Sequence, residues 1–138
     1  MKFLSWGKDG GKDSTVSGFW IVEIKSLFSI VVLKFNEGSR ENYHSHAFNA
    51  WTWFLKGETI EKTLSGSLRG RSAKLCRPSI IPKFTPKAQI HKHVAKKNTW
   101  AISIRGPWEK SWIEVNTRKK EIILLENGRH EVGRAKYE

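Results

Sequence analysis

The sequence predicts an all-β chain that folds into one small sandwich or barrel. Three observations carry that prediction. Short runs rich in β-branched and aromatic residues recur along the chain. Asn, Gly and Pro turn signals fall between them. Helical periodicity, with apolar residues returning every three or four positions, is hard to find anywhere.

Taken in order, the expected strands are residues 19–24, 28–35, 50–55, 60–64, 100–104, 111–115 and 121–125. Asn36-Glu37-Gly38, Lys56-Gly57, the stretch from Gly66 to Gly70, Gly106-Pro107, Asn116-Thr117 and Asn127-Gly128 supply the turns between them. Residues 68–97 differ in character. Pro78, Pro82 and Pro86 break up any central strand, and cations replace aromatics. An edge strand and loop are expected there, leading into a strand near residues 89–94 and covering or lining the barrel mouth. A short helix at either end of the chain stays open.

At 138 residues the chain fits one domain, 1–138, with its core at about residues 19–125 and looser termini. Cys76 is the only cysteine, so no internal disulfide can form; a single thiol suits a reducing, cytoplasmic setting. The first dozen residues contain Lys, Asp and Gly rather than a long apolar core, unlike a secretion signal. The longest apolar run, around residues 28–33, falls far short of the roughly 20 residues a membrane helix needs. No membrane partner is expected.

The net charge is +12, and its distribution is uneven. Between Lys56 and Lys97 eleven Lys or Arg face two Glu. Such a field draws anions: nucleic acid, nucleotides, and phosphorylated or carboxylated small molecules. It is equally compatible with a plain solvated basic surface, and Arg69, Arg71, Lys74 and Arg77 are expected to form one. No glycine-rich phosphate loop, Gly-x-Ser-x-Gly elbow, Cys-x2-Cys pair or His-Glu-x2-His is present.

Four of the five histidines form two pairs, His44-Ser45-His46 and His91-Lys92-His93. Spacing of two in a strand puts both rings on one face, with Cα atoms about 6–7 Å apart. Two imidazoles on one face can converge on a cation, and a neighbouring strand can bring a third from His91 or His93. The context of His44 adds weight. Gly38 precedes it by five intervening residues, His46 follows, and Gly57 closes the strand at residues 50–55. This resembles the first cupin motif, Gly-x5-His-x-His followed by Glu and then Gly. The Glu position falls here on Ala50 or Trp51, neither of which can bind a metal.

A looser resemblance, to small bacterial and phage cupins, runs from Ser29 to Val115. It rests on His44, His46, Phe48, Asn49, Gly57, Glu61, His91, Thr99, Trp100, Gly106, Pro107 and Trp112. Asn49 stands where that family has an acid, and Ala47 where it has Pro. The resemblance implies a cupin-type jelly-roll β-barrel with a metal on His44, His46 and His91. Glu61 is either a fourth ligand or a solvated strand residue; without it the site is a three-histidine face similar to that of thiol dioxygenases. Iron is the first expectation, with zinc, manganese or nickel as alternatives.

Several residues are candidates for holding a substrate. Arg40, four before His44, and Arg105 can grip a carboxylate or phosphate. Tyr43 is expected at the rim, with Asn49, Trp51 and His93 nearby. Trp51 and Trp53 share one strand face, as do Trp100, Ile102 and Ile104. Core packing is expected of these, since aromatics fill barrel interiors; the alternative is a wall on which a ring or base stacks.

The function implied is a metal-dependent dioxygenase or isomerase acting on a small anionic substrate. The alternatives are a non-catalytic barrel that binds an anionic nucleotide or metabolite, such as a phage inhibitor or sponge of a host signal, and a nucleic-acid-binding barrel. The resemblance also implies a homodimer, since many cupins pair through edge strands.

Overall fold

The computed structural model describes residues 1–11, 14–38 and 42–138. It contains thirteen strands and no helix among them: β1 (Lys2–Lys8), β2 (Val16–Ile24), β3 (Phe28–Phe35), β4 (Tyr43–His44), β5 (Ala50–Lys56), β6 (Thr59–Leu64), β7 (Arg71–Cys76), β8 (Lys83–Thr85), β9 (Ile90–Ala95), β10 (Thr99–Arg105), β11 (Ser111–Asn116), β12 (Glu121–Glu126) and β13 (His130–Lys136). Every expected strand is present within a few residues of its expected bounds. No helix forms at either end; β1 and β13 occupy those places as outer strands.

Two antiparallel sheets result. One has the order β1-β2-β3-β10-β5-β8 and the other β13-β12-β11-β4-β9-β6-β7. Between β3 and β11 the chain changes sheet at every connection except the β6–β7 hairpin. That crossing pattern makes a jelly roll. The barrel expectation needs one refinement: no strand ladder joins the sheets among the described residues, apart from an isolated Gly38–Ala95 bridge. The proline-rich segment supplies β7 and β8, each at a sheet edge, where missing N–H donors cost least.

The core lies between the sheets. Trp20, Val31, Leu33, Phe35, Phe54 and Ala101 pack from one side against Cys76 and Ala95 from the other. Here the structure corrects the sequence reading of the aromatics. Phe54 points inward on β5, while Trp51 and Leu55 are about half exposed. On β10, Ala101, Ser103 and Arg105 are buried, and Trp100, Ile102 and Ile104 face out. Both faces of these strands are apolar, so alternation alone does not say which face is the core. On β10 the small Ala101 and Ser103 hold the inside.

Gly57 fixes the β5–β6 turn. Its φ is +79°, and a Cβ there would lie 2.4 Å from Thr99 Oγ1 and 2.8 Å from Thr99 Cα. Thr99 is fully buried, and its hydroxyl accepts the Glu58 N–H at 3.1 Å. The turn is thereby pinned to the start of β10. Gly57→Ala is expected to lower stability by about 2 kcal/mol or more, from the left-handed backbone plus the clash. Urea unfolding of the variant, with an unchanged m-value, checks this.

Candidate metal centre

Short β4 carries the first histidine. Tyr43 and His44 alternate faces, so His44 enters the space between the sheets. Its backbone pairs with His91 on β9 and with Glu114 on β11. His46 lies just beyond the strand, held by its N–H to the Lys87 carbonyl at 3.1 Å and by stacking on Phe48. Cross-strand pairing of His44 with His91 therefore brings residues 47 positions apart into one cluster. The donor atoms of His44, His46 and His91 all lie within 4.8 Å of one another.

The hydrogen bonds fix which nitrogen of His91 is available. His91 Nδ1 donates to Glu61 Oε2 at 2.7 Å, since a carboxylate only accepts. In the neutral ring that leaves the lone pair on Nε2, which faces His46 Nε2 at hydrogen-bond distance, 2.8 Å. Two imidazoles bound at right angles with metal–nitrogen distances of about 2.0–2.1 Å would have their nitrogens about 2.9 Å apart. The pair already sits at ligand spacing. An all-imidazole donor set suits zinc, iron, nickel or copper.

Glu61 serves a second group. It is buried, and its Oε2 also lies 2.6 Å from Lys83 Nζ and 3.7 Å from His93 Nε2. Burial pushes its carboxyl up, but hydrogen bonds from His91 and Lys83 outweigh burial and hold it down at about 2. His93 is pushed down to about 3 by burial and by the neighbouring His91, with Glu61 opposing and Lys83 assisting. His93 is thus neutral, with Thr59 Oγ1 2.8 Å from its Nδ1. Glu61, His91 and His93 also approach closely enough to hold a cation, sharing His91 with the first group.

The histidines open into a cavity of about 300 Å³ between the sheets. Its wall includes Lys2, Lys8, Lys25, Lys83, Arg105 and Arg129 against the acids Asp9 and Glu23. Arg105 is buried over the Phe48 ring, with its two Nη atoms on the Asp9 carboxylate at 3.2 and 2.6 Å. Three residues that line it, Arg105, Trp20 and Trp108, each carry a buried N–H (Nε, Nε1 and Nε1) with no acceptor among the described residues.

The sequence-derived candidates are thus divided. His44, His46, His91, Glu61, His93 and Arg105 come together. Tyr43 does not reach the cavity rim, because alternation turns it to the opposite side of β4. There it is buried near Leu64, Ile90 and Val115, with Lys92 over its ring. Trp51 is 48% exposed on the outer face and packs on Phe84. Asn49 is exposed; its Oδ1 accepts the Lys87 N–H and its carbonyl the Gly106 N–H, so it braces the loop that carries His46. Arg40 lies outside the described residues. Sequence reasoning missed Lys83 and Asp9. Lys83 is one cation among many in its segment, and nothing local marks it as the inward one. Asp9 meets Arg105 across 96 residues.

No protein-family profile and no curated protein matches this sequence. Solved structures do match in shape. An RmlC-like cupin from Shewanella frigidimarina aligns over 75% of this chain and 84% of its own, at 15% identity and TM-score 0.55. The fold is that of a cupin. KdgF from Halomonas matches over 77% of this chain and 94% of its own, at 13% identity and TM-score 0.55. Oxalate decarboxylase from Bacillus subtilis matches over 73% of this chain, at 10% identity and TM-score 0.55. This chain spans about 27% of that larger protein's length.

Ala50 and Trp51 carry no carboxylate, and the carboxylate that reaches His91 is Glu61, from β6. As placed, Glu61 can orient His91 and balance Lys83. The three imidazoles can hold a divalent cation, and the cationic wall can hold an anion beside it. No helix long and apolar enough to cross a membrane occurs among the described residues.

Proposed function

We propose that this cupin is a metal-dependent enzyme acting on a small anionic substrate, with the metal on His44, His46 and His91. The observation that carries the reading is the 2.8 Å approach of His46 Nε2 to His91 Nε2, with His44 beside them, at the wall of a cavity. Three protein ligands leave coordination positions open, as catalytic sites require. Glu61 acts by holding the His91 tautomer that aims Nε2 inward. Iron is the metal we favour, with zinc, manganese or nickel next, and a dioxygenase- or isomerase-type reaction is the class. A divalent ion there would supply Lewis-acid or redox chemistry at the cavity wall.

The wall supports the substrate class. Arg105 Nε and the two indole N–H groups are donors in need of acceptors, which a carboxylate or phosphate supplies. The Asp9 carboxylate already shows how a bidentate anion engages Arg105. Elemental analysis of untagged protein tests the reading. Near one equivalent of a transition metal, removed by chelator and restored by reloading, is expected. No metal after anaerobic reloading with ferrous iron would overturn it.

The same unpartnered donors favour a second reading, a cupin that holds an anionic nucleotide or metabolite without turnover. Metal-free protein that binds inorganic phosphate or a nucleotide as tightly as the loaded form would support it. A nucleic-acid role has less behind it: Arg69, Arg71, Lys74 and Arg77 are all exposed on or beside edge strand β7. It would be read in a steep loss of DNA or RNA binding with salt.

A further inference from the structure

The outer face of the six-stranded sheet is apolar where solvent should meet polar side chains. Antiparallel sheets with one buried face normally alternate apolar-in and polar-out. Here two successive outward rows cross five strands without a charge. Register links Trp6 to Phe19, Phe19 to Val32, Val32 to Ile102 and Ile102 to Trp53. The next row links Val22 to Ile30, Ile30 to Ile104, Ile104 to Trp51 and Trp51 to Phe84. Charge returns one row away, with Lys34 and Lys56 flanking Trp100.

We propose that this face is the interface between two copies of the chain. The inference stands apart from the metal reading. Three observations favour a second copy. The first is area: Trp6, Trp51, Leu55, Phe84 and Ile104 keep between 37 and 66% of their exposure. With the half-buried members of the rows, that leaves on the order of 700 Å² of apolar surface, against the ~800 Å² per partner of a standard interface. Monomers seldom leave so large a contiguous apolar patch in water.

The second is self-complementarity. A two-fold interface must match itself. Both flanks of the face carry a packed aromatic pair, Trp6–Phe19 at 4.8 Å and Trp51–Phe84 at 4.6 Å between ring centroids. The centre is aliphatic: Ile30, Val32, Ile102 and Ile104. A dyad along the central strands lays one aromatic flank over the other and packs the aliphatic centres together, as in face-to-face sheet packing. The third is charge. A chain of +12 repels its own copy, so a self-interface must exclude charge from its centre, and these two rows do. Face-on pairing also replaces the edge-strand pairing that the sequence suggested.

Sedimentation velocity on the full chain tests this. The wild type is expected to sediment as a dimer, and added salt to tighten it by screening the like charges. Ile104→Lys and Trp51→Lys are expected to weaken the dimer at least about a hundredfold, since each sets like charges face to face. Both sites are exposed, and circular dichroism confirms that the variants are folded. Leu124→Lys on β12 and His44→Ala are expected to leave the dimer intact. A folded wild type that stays monomeric at every concentration, a dimer untouched by both face substitutions, or one loosened by salt would each overturn the proposal. Failure of the metal reading leaves these results unchanged.

Discussion

Alanine at His44 or His46 is expected to take the metal content from near one equivalent to near none, whereas His93→Ala keeps it. His91 belongs to both candidate groups and cannot tell them apart. His44 and His46 belong only to the all-histidine group, and His93 only to the group with Glu61. The all-histidine group is preferred on physical grounds. Glu61 already accepts from His91 and pairs with Lys83, so an ion bound there would have to displace a partly buried ammonium. Between the His46 and His91 nitrogens an ion has only a shared hydrogen-bond proton to replace, at 2.8 Å. Loss of a ligand should exceed the roughly 10–100-fold that changes behind the ligands cost. Two readouts are available: mass-spectrometric metal content, and the rise in melting temperature that added metal gives a protein that binds it only when folded. Metal retained in His44→Ala and His46→Ala but lost in His93→Ala would move the ion to the Glu61 group.

The strand pattern was legible because strands are local. Residues 28–35 alternate inward and outward without interruption, and Asn36-Glu37-Gly38 ends them in any context. The missed strands have tertiary causes. β4 is two residues long and exists because β9 and β11 flank it. β8 sits between prolines and is held by three register pairs with β5. No propensity over so few residues would call for a strand. The direction of the aromatic faces was also illegible. Trp51, Trp53, Ile102 and Ile104 look as core-like as Phe54 and Ala101, because the outer face of this sheet is itself apolar.

The histidine cluster was legible for a different reason. A His-x-His pair fixes two rings on one side whatever surrounds them, and the cupin-like spacing from Gly38 to Gly57 narrows the context. Second partners were harder. Glu61 was visible as a carboxylate but not as the hydrogen-bond acceptor of His91, a relation set by the Thr63↔His91 and Glu61↔His93 register of β6 and β9. Tyr43 adjoins His44 in sequence and faces away from it for that very reason, since neighbours in a strand alternate.

Glu61→Gln is expected to weaken metal binding by about 10–100-fold and to cost about 3 kcal/mol of stability in the metal-free protein. The amide keeps the shape but loses the charge, so Lys83 is left with a partly buried ammonium that has lost its carboxylate, and His91 loses the partner that fixes its tautomer. The acid limb of stability gives a second estimate. Glu61 is held at about 2 against an ordinary value of 4.5, which corresponds to about 3 kcal/mol by linkage. Because the folded value is depressed, that contribution is present above about pH 4.5 and is lost as pH falls toward 2. Wild type should therefore weaken steeply across this window, and Glu61→Gln much less. Lys83→Met should also destabilise, by leaving the carboxylate with His91 alone. The double variant should recover part of the loss, because removing both charges removes the burial penalty that each single change exposes. Additive losses would mean that Glu61 and Lys83 do not act as a pair, and an unchanged metal affinity in Glu61→Gln would mean that His91 needs no partner to present Nε2.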